Sequence, residues 1–190
     1  MKDIVKLTTL EQIKTYSDPY RLKIITLIRN NKEPLTVKEI ADKLEEVPAK
    51  VHYHIKKLEK AGIIELVRTK EIKGIIAKYY YLTANSYELV GENINEHSKK
   101  IYKSQVLTVI NEFYEKSKNM VMDSVSERIN KGNDINFTSL VDRKIYLTTE
   151  EFEELNGQIK EILYKYEKKR EGTDSWHVFN VVCKDGEDKK

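Results

Sequence analysis

Between Asp18 and Leu82 the chain carries signals for three helices in close succession, then a glycine, then two β-type runs, and this order most constrains its fold. Asp18-Pro19 supplies an N-cap followed by proline at the first helical position, where its missing N–H is not needed. Leu22, Ile25 and Ile28 then recur at helical spacing, Ile24 and Leu27 widen the stripe, and Asn30-Asn31 ends it. Thr36 and Glu39 are spaced as a capping box, with Leu35 and Ile40 placed as a hydrophobic staple. Ile40, Ala41 and Leu44 face inward, and Ala41 is small where two helices must approach. Residues 45–48 form a turn, and Pro48 presets φ for the next helix. On that helix Val51, Ile55 and Leu58 form one buried stripe. Gly62 follows where a left-handed exit residue is wanted. Residues 63–70 and 75–82 read as strands joined by a loop over 71–74, and residues 10–16 as a short preceding helix.

Helix, helix, turn, helix, hairpin is the order of a winged helix-turn-helix, a shape that lays one helix in a DNA major groove and the hairpin against the flanking backbone. With the stripe inward, Ala49, Lys50, His52, Tyr53, Lys56 and Lys57 lie on other faces of the third helix. Arg68, Lys70 and Lys73 cluster at the hairpin tip, where they can meet phosphates or a minor groove. With Thr36 and Pro48 at the two helix starts, these residues are the candidate DNA-binding set.

Charge follows the same division. Residues 1–90 carry a net +5 and residues 91–190 a net −2. Between Lys50 and Tyr80 eight basic residues face three glutamates, so that stretch alone is +5. Clustered positive charge is what a phosphate-binding face needs, although a solvated lysine-rich surface has the same composition.

The run IITLIRNNKEPLTVKEIADKLEEVPAKVHYHIKKLEKAGIIELVRTKEIKGIIAKYYYLTA resembles the ArsR-like winged helix-turn-helix transcriptional regulators. The resemblance covers roughly the first 85 residues and rests on DPYRLKII, TVKEIADKL, VHYHIKKLEKAGII and YYYLT in that order. It implies a homodimeric repressor reading a partly palindromic operator, with Lys50, His52, Tyr53 and Lys56 where that family contacts DNA. Two departures matter. Pro48 stands where the family commonly has serine, and residues 37–44 lack the cysteine pair of its metal-sensing members. His52 and His54, at i and i+2, point to different sides of a helix and do not replace that pair.

From Asn85 to about Lys131 the apolar pattern is again helical, through Tyr87, Val90, Ile94, Ile101, Val106, Phe113, Val121 and Ile129. A segment this long suits pairing with a second copy, and the same pattern also fits internal packing. Residues 137–147 and 176–183 read as strands flanking a helix that starts at Thr148, whose stripe is Phe152, Leu155, Ile159, Ile162 and Tyr166. Cys183 is expected in a core. The expected architecture is mainly α with small β elements: a winged helix-turn-helix over 1–84, a helical dimerisation segment over 85–131, and a small α+β lobe over 132–190.

No phosphate-binding glycine loop, nucleophile elbow or metal-spaced histidine pair occurs, and the single cysteine excludes an internal disulfide framework. The chain therefore reads as a non-enzyme with no cofactor and no metal. Neither a membrane-spanning run nor the apolar core of a signal peptide is evident, which makes the cytoplasm the expected compartment. The expected partners are double-stranded DNA and a second copy of the chain, with a small-molecule effector left open. A winged-helix module that docks on protein instead of DNA is the alternative.

Overall fold

The computed structural model describes residues 2–31, 33–72, 74–91, 94–132, 139–168 and 170–184. The elements run β1 (Lys2–Leu7), α1 (Leu10–Tyr16), α2 (Pro19–Asn30), β2 (Leu35–Thr36), α3 (Val37–Leu44), α4 (Pro48–Lys60), β3 (Ile64–Ile72), β4 (Ile75–Leu82), β5 (Ala84–Leu89), α5 (Glu96–Asn130) and α6 (Thr149–Tyr166). Contacts divide the chain into one unit of residues 1–114 and another of residues 115–190.

Local chemistry sets the helix starts of the first unit. Asp18 accepts from the Arg21 backbone N–H at 2.9 Å, ahead of Pro19. Thr36 Oγ1 accepts from the Glu39 N–H, and the Glu39 carboxylate accepts from the Thr36 N–H, closing the expected capping box. The turn after α3 passes through Glu45 at φ 54°, and the Glu46 N–H reaches back to the Ala41 carbonyl at 2.9 Å. Glu45 has a β-carbon in this left-handed conformation, so the turn costs about 1 kcal/mol or more of local strain. It brings the end of α3 directly into the start of α4. Gly62 exits α4 at φ 72°, as its position in the sequence predicts.

The core lies where these helices meet the sheet. Ile13, Ile24, Ile28, Ile40, Ala41, Val51, Ile55, Leu58 and Ile63 have no solvent exposure. Each fully buried branched aliphatic contributes about 1.5–3 kcal/mol, so this cluster is the main source of the unit's stability. Leu35 and Ile40 both enter it. The sheet order is β2-β4-β3, antiparallel throughout, and β3 has an irregularity between Leu66 and Arg68. Tyr80, on the central strand, is 1% exposed and seals the sheet against the helices.

A second, parallel sheet pairs β1 with β5, from Lys2 opposite Ala84 to Leu7 opposite Leu89. The helical expectation for residues 85–89 is therefore corrected. Backbone supplied by the first seven residues completes a strand there, and α5 begins at Glu96. Tyr87 turns its hydroxyl to the Ile63 carbonyl, tying β5 to the start of the hairpin.

In the second unit, Thr148 caps α6 in the expected box with Glu151. His177 meets Ser117 at 3.2 Å, and Ser117 is buried. Two expectations are corrected. Residues 139–147 and 176–183 form no strand; residues 137 and 138 lie outside the described set. A strand needs a ladder partner, and neither segment pairs with one among the described residues. Cys183 is exposed, not core. The α6 stripe stays half-buried at Leu155 and Ile159 and exposed at Phe152, Ile162 and Tyr166.

Candidate nucleic-acid interface

Helix α4 divides its surface by periodicity. Val51, Ile55 and Leu58 are fully buried, so the opposite side is held outward by the packing itself. Pro48, Ala49, Lys50, His52, Tyr53, Lys56 and Lys57 are all exposed. Tyr53 is 56% exposed, a large aromatic left in solvent on the outward face of α4. Thr36 is half-buried, with its hydroxyl engaged in the capping box at the start of α3. Arg68 and Lys70 are exposed on β3. Lys73 lies outside the described residues.

The lysines of this face are not all alike. Lys50 is paired with Glu46 one turn earlier, and Lys56 with Glu59 at 2.6 Å. Hydrogen bonds to these carboxylates raise the pKa of both lysines, so both ammonium groups are firmly charged. Lys60 reaches Glu11 on α1 at 3.3 Å. Aromatic rings flank Lys50 and Lys56, and Arg68, as well. Lys50 stands 4.3 Å from the centre of the Tyr20 ring, Lys56 5.8 Å from that of Tyr80, and Arg68 4.3 Å from that of Tyr79.

The sequence reading missed Tyr20 and Glu46. Together they confine Lys50, one by its π face and the other by its carboxylate. Tyr20 also packs on His54, with ring centres 4.5 Å apart. His54 is half-buried against α2, whereas His52 is exposed. Burial lowers the His54 pKa, which favours the neutral ring. Neither Tyr20 Oη nor His54 Nδ1 has a hydrogen-bond partner among the described residues. Glu46 could have been found by its i,i+4 spacing to Lys50. Nothing in the local sequence pattern announces that Tyr20, thirty positions away, meets α4.

The hairpin departs from a purely basic wing. Ile72, Ile75 and Ile76 near its tip are exposed, as are Leu66 and Val67 lower on β3. Ile72 pairs with Ile75 and Glu71 with Ile76 across the ladder, so the apolar groups are spread over both faces.

No metal-binding cluster of His, Cys, Asp or Glu occurs among the described residues, and no helix among them is long and apolar enough to cross a membrane.

Residues 16–67 match the family model described as a helix-turn-helix domain. No curated protein matches the chain. Among solved structures, HlyU from Vibrio cholerae N16961 is similar at 21% identity, over 40% of this chain and 75% of that one, with a TM-score of 0.32. The transcriptional regulator HlyU from Vibrio vulnificus CMCP6 is similar at 21% identity, over 50% and 79%, with a TM-score of 0.31. The multiple antibiotic-resistance repressor (MarR) from Listeria monocytogenes 4b F2365 is similar at 11% identity, over 83% and 84%, with a TM-score of 0.29. Residues 16–67 are thus a helix-turn-helix domain, and the hairpin of β3 and β4 makes it a winged one.

Proposed function

We propose that this protein is a sequence-specific DNA-binding transcriptional regulator acting as a homodimeric repressor. One observation carries the reading: an exposed face of Lys50, His52, Tyr53, Lys56 and Lys57 stands over a fully buried stripe on the second helix of the helix-turn-helix. Lysine ammonium groups supply attraction to phosphate, while Lys50, His52 and Tyr53, near the helix start, read base edges. Arg68 and Lys70 on the hairpin contact the flanking backbone, and Lys73, in the sequence between β3 and β4, is proposed to do the same.

In this reading residues 1–84 dock, residues 85–131 pair two copies, and residues 132–190 form a lobe that carries any effector response. Leu107, Ile110 and Phe113 on α5 are exposed apolar groups of the kind a second copy would cover. Two-fold pairing would place the two copies of α4 about 34 Å apart, one turn of the duplex. Light scattering at micromolar concentration reads the dimer directly, and a monomer there would count against it.

Fluorescence anisotropy on a duplex from the protein's own promoter region, with an unrelated duplex as control, tests the DNA reading. Tight binding that weakens steeply as salt rises is expected. A second reading, docking on protein, is favoured by the exposed Ile72, Ile75 and Ile76 of the wing. It predicts no duplex binding at any salt concentration.

A further inference from the structure

A groove of about 480 Å³ runs between α1 and α4, lined by Glu11, Lys14, Thr15, Arg21, Tyr53 and Lys57 among others. Its walls are fixed. Arg21 donates from Nε to the Thr15 carbonyl at 2.6 Å and from a terminal nitrogen to the Lys14 carbonyl at 3.2 Å, and it pairs with Asp18 at 3.5 Å. One guanidinium thereby binds the end of α1 to the start of α2. At the other end Gln12 Nε2 donates to the Ala61 carbonyl at 3.2 Å, and Glu11 accepts from Lys60. The acid that lines the groove is therefore already engaged with a lysine of α4.

The two remaining lysines on the walls differ from their neighbours. Lys50, Lys56 and Lys60 each hold a carboxylate. Lys14 and Lys57 have none within ion-pair distance among the described residues, and Lys57 lies 5.6 Å from the centre of the exposed Tyr53 ring. Among the described residues, one ammonium on α1 and another on α4 thus border a single groove, neither in an ion pair of its own, while the one carboxylate lining it, Glu11, meets Lys60. An acid–ester oxygen of nucleic acid is the complement, and α4 is the helix that the proposed function sets in the major groove.

We propose that this groove seats the phosphodiester backbone of duplex DNA beside the major groove occupied by α4, with Lys14 and Lys57 as its phosphate contacts. The inference rests on the DNA-binding reading and adds to it a contact from α1, outside the recognition helix and the wing. A phosphate contact carries no sequence information, so it acts equally on every duplex.

The test uses the full chain, with Lys14→Gln, Lys57→Gln and, as control, the exposed Lys160→Gln on α6. Affinity for the promoter duplex and for an unrelated duplex is measured across a salt series, with circular dichroism to confirm folding. Each groove variant is expected to flatten the slope of log affinity against log salt by about 0.9, so its affinity falls about 3.5-fold less than wild type between 50 and 200 mM salt. Both duplexes should weaken alike, and the control should match wild type. Unchanged slopes in both groove variants, with wild-type binding intact, overturn this site and leave the DNA reading standing. Loss confined to the promoter duplex makes the lysines base readers and also overturns it. If wild type binds no duplex, the DNA reading and the groove assignment fall together.

Discussion

Tyr102 on α5 lies so close to Gly91 that a β-carbon there would stand 2.7 Å from its ring, while its hydroxyl donates to the Leu89 carbonyl at 3.1 Å. The end of β5 and the first turns of α5 are thus locked through one ring. Gly91→Ala must displace that ring and is expected to lower stability by about 1–3 kcal/mol. Tyr102→Phe keeps the packing and loses one hydrogen bond, a smaller loss of about 0.5–1.5 kcal/mol. Urea unfolding of the two variants should rank them in that order.

Lys50→Ala and Lys56→Ala are expected to weaken duplex binding without unfolding the protein, because both side chains lie off the buried stripe. Anisotropy and thermal melting separate the two effects. Unchanged affinity in both variants would remove these lysines from the recognition surface.

Ile55 is fully buried in the middle of α4. Ile55→Ala should cost about 2–5 kcal/mol and abolish DNA binding through loss of the fold. Melting and binding should fail together, in contrast to the lysine variants.

Thr36→Ala removes the side chain that caps α3 and should cost about 0.5–2 kcal/mol. Thr36→Ser keeps the capping oxygen and should restore most of it in the same unfolding measurement.

His54 gives the fold a pH dependence. Its pKa is lowered from 6.5, first by burial, with Asp18 and Glu46 pulling it up and Arg21 and Lys50 pushing it down. A depressed folded-state pKa means that the unfolded chain binds the proton more readily. The contribution of this group is therefore present above about pH 6.5 and is lost as pH falls through the lowered value. Wild type should lose more stability than His54→Phe between about pH 7.5 and about pH 5. Equal losses would show that His54 is not responsible.

Caps, stripes and turn residues made the stretch from α2 to β4 legible, because each is local. Asp18, Thr36, Pro48 and Gly62 act on neighbours within four positions. What escaped is non-local. Residues 84–89 become a strand through backbone some eighty positions earlier, and no pattern within the segment announces that pairing. Residues 137–147 and 176–183 read as strands, yet a strand-like composition does not supply a ladder partner, and among the described residues 139–147 and 176–183 have none. At the candidate interface the exposed residues of α4 followed from periodicity, whereas the Tyr20 ring over Lys50 and the groove beside α1 depend on how three helices meet.

The carboxylates held by Lys50, Lys56 and Lys60 bear on adhesion to arbitrary polyanions. A cation that already has an anion must relinquish one to take another, so the gain from each exchange is less than a tally of lysines suggests. On the proposed DNA-binding reading, such a face would discriminate by fit more than by bulk charge, and it would restrain attachment to the many irrelevant nucleic acids that surround any intended target.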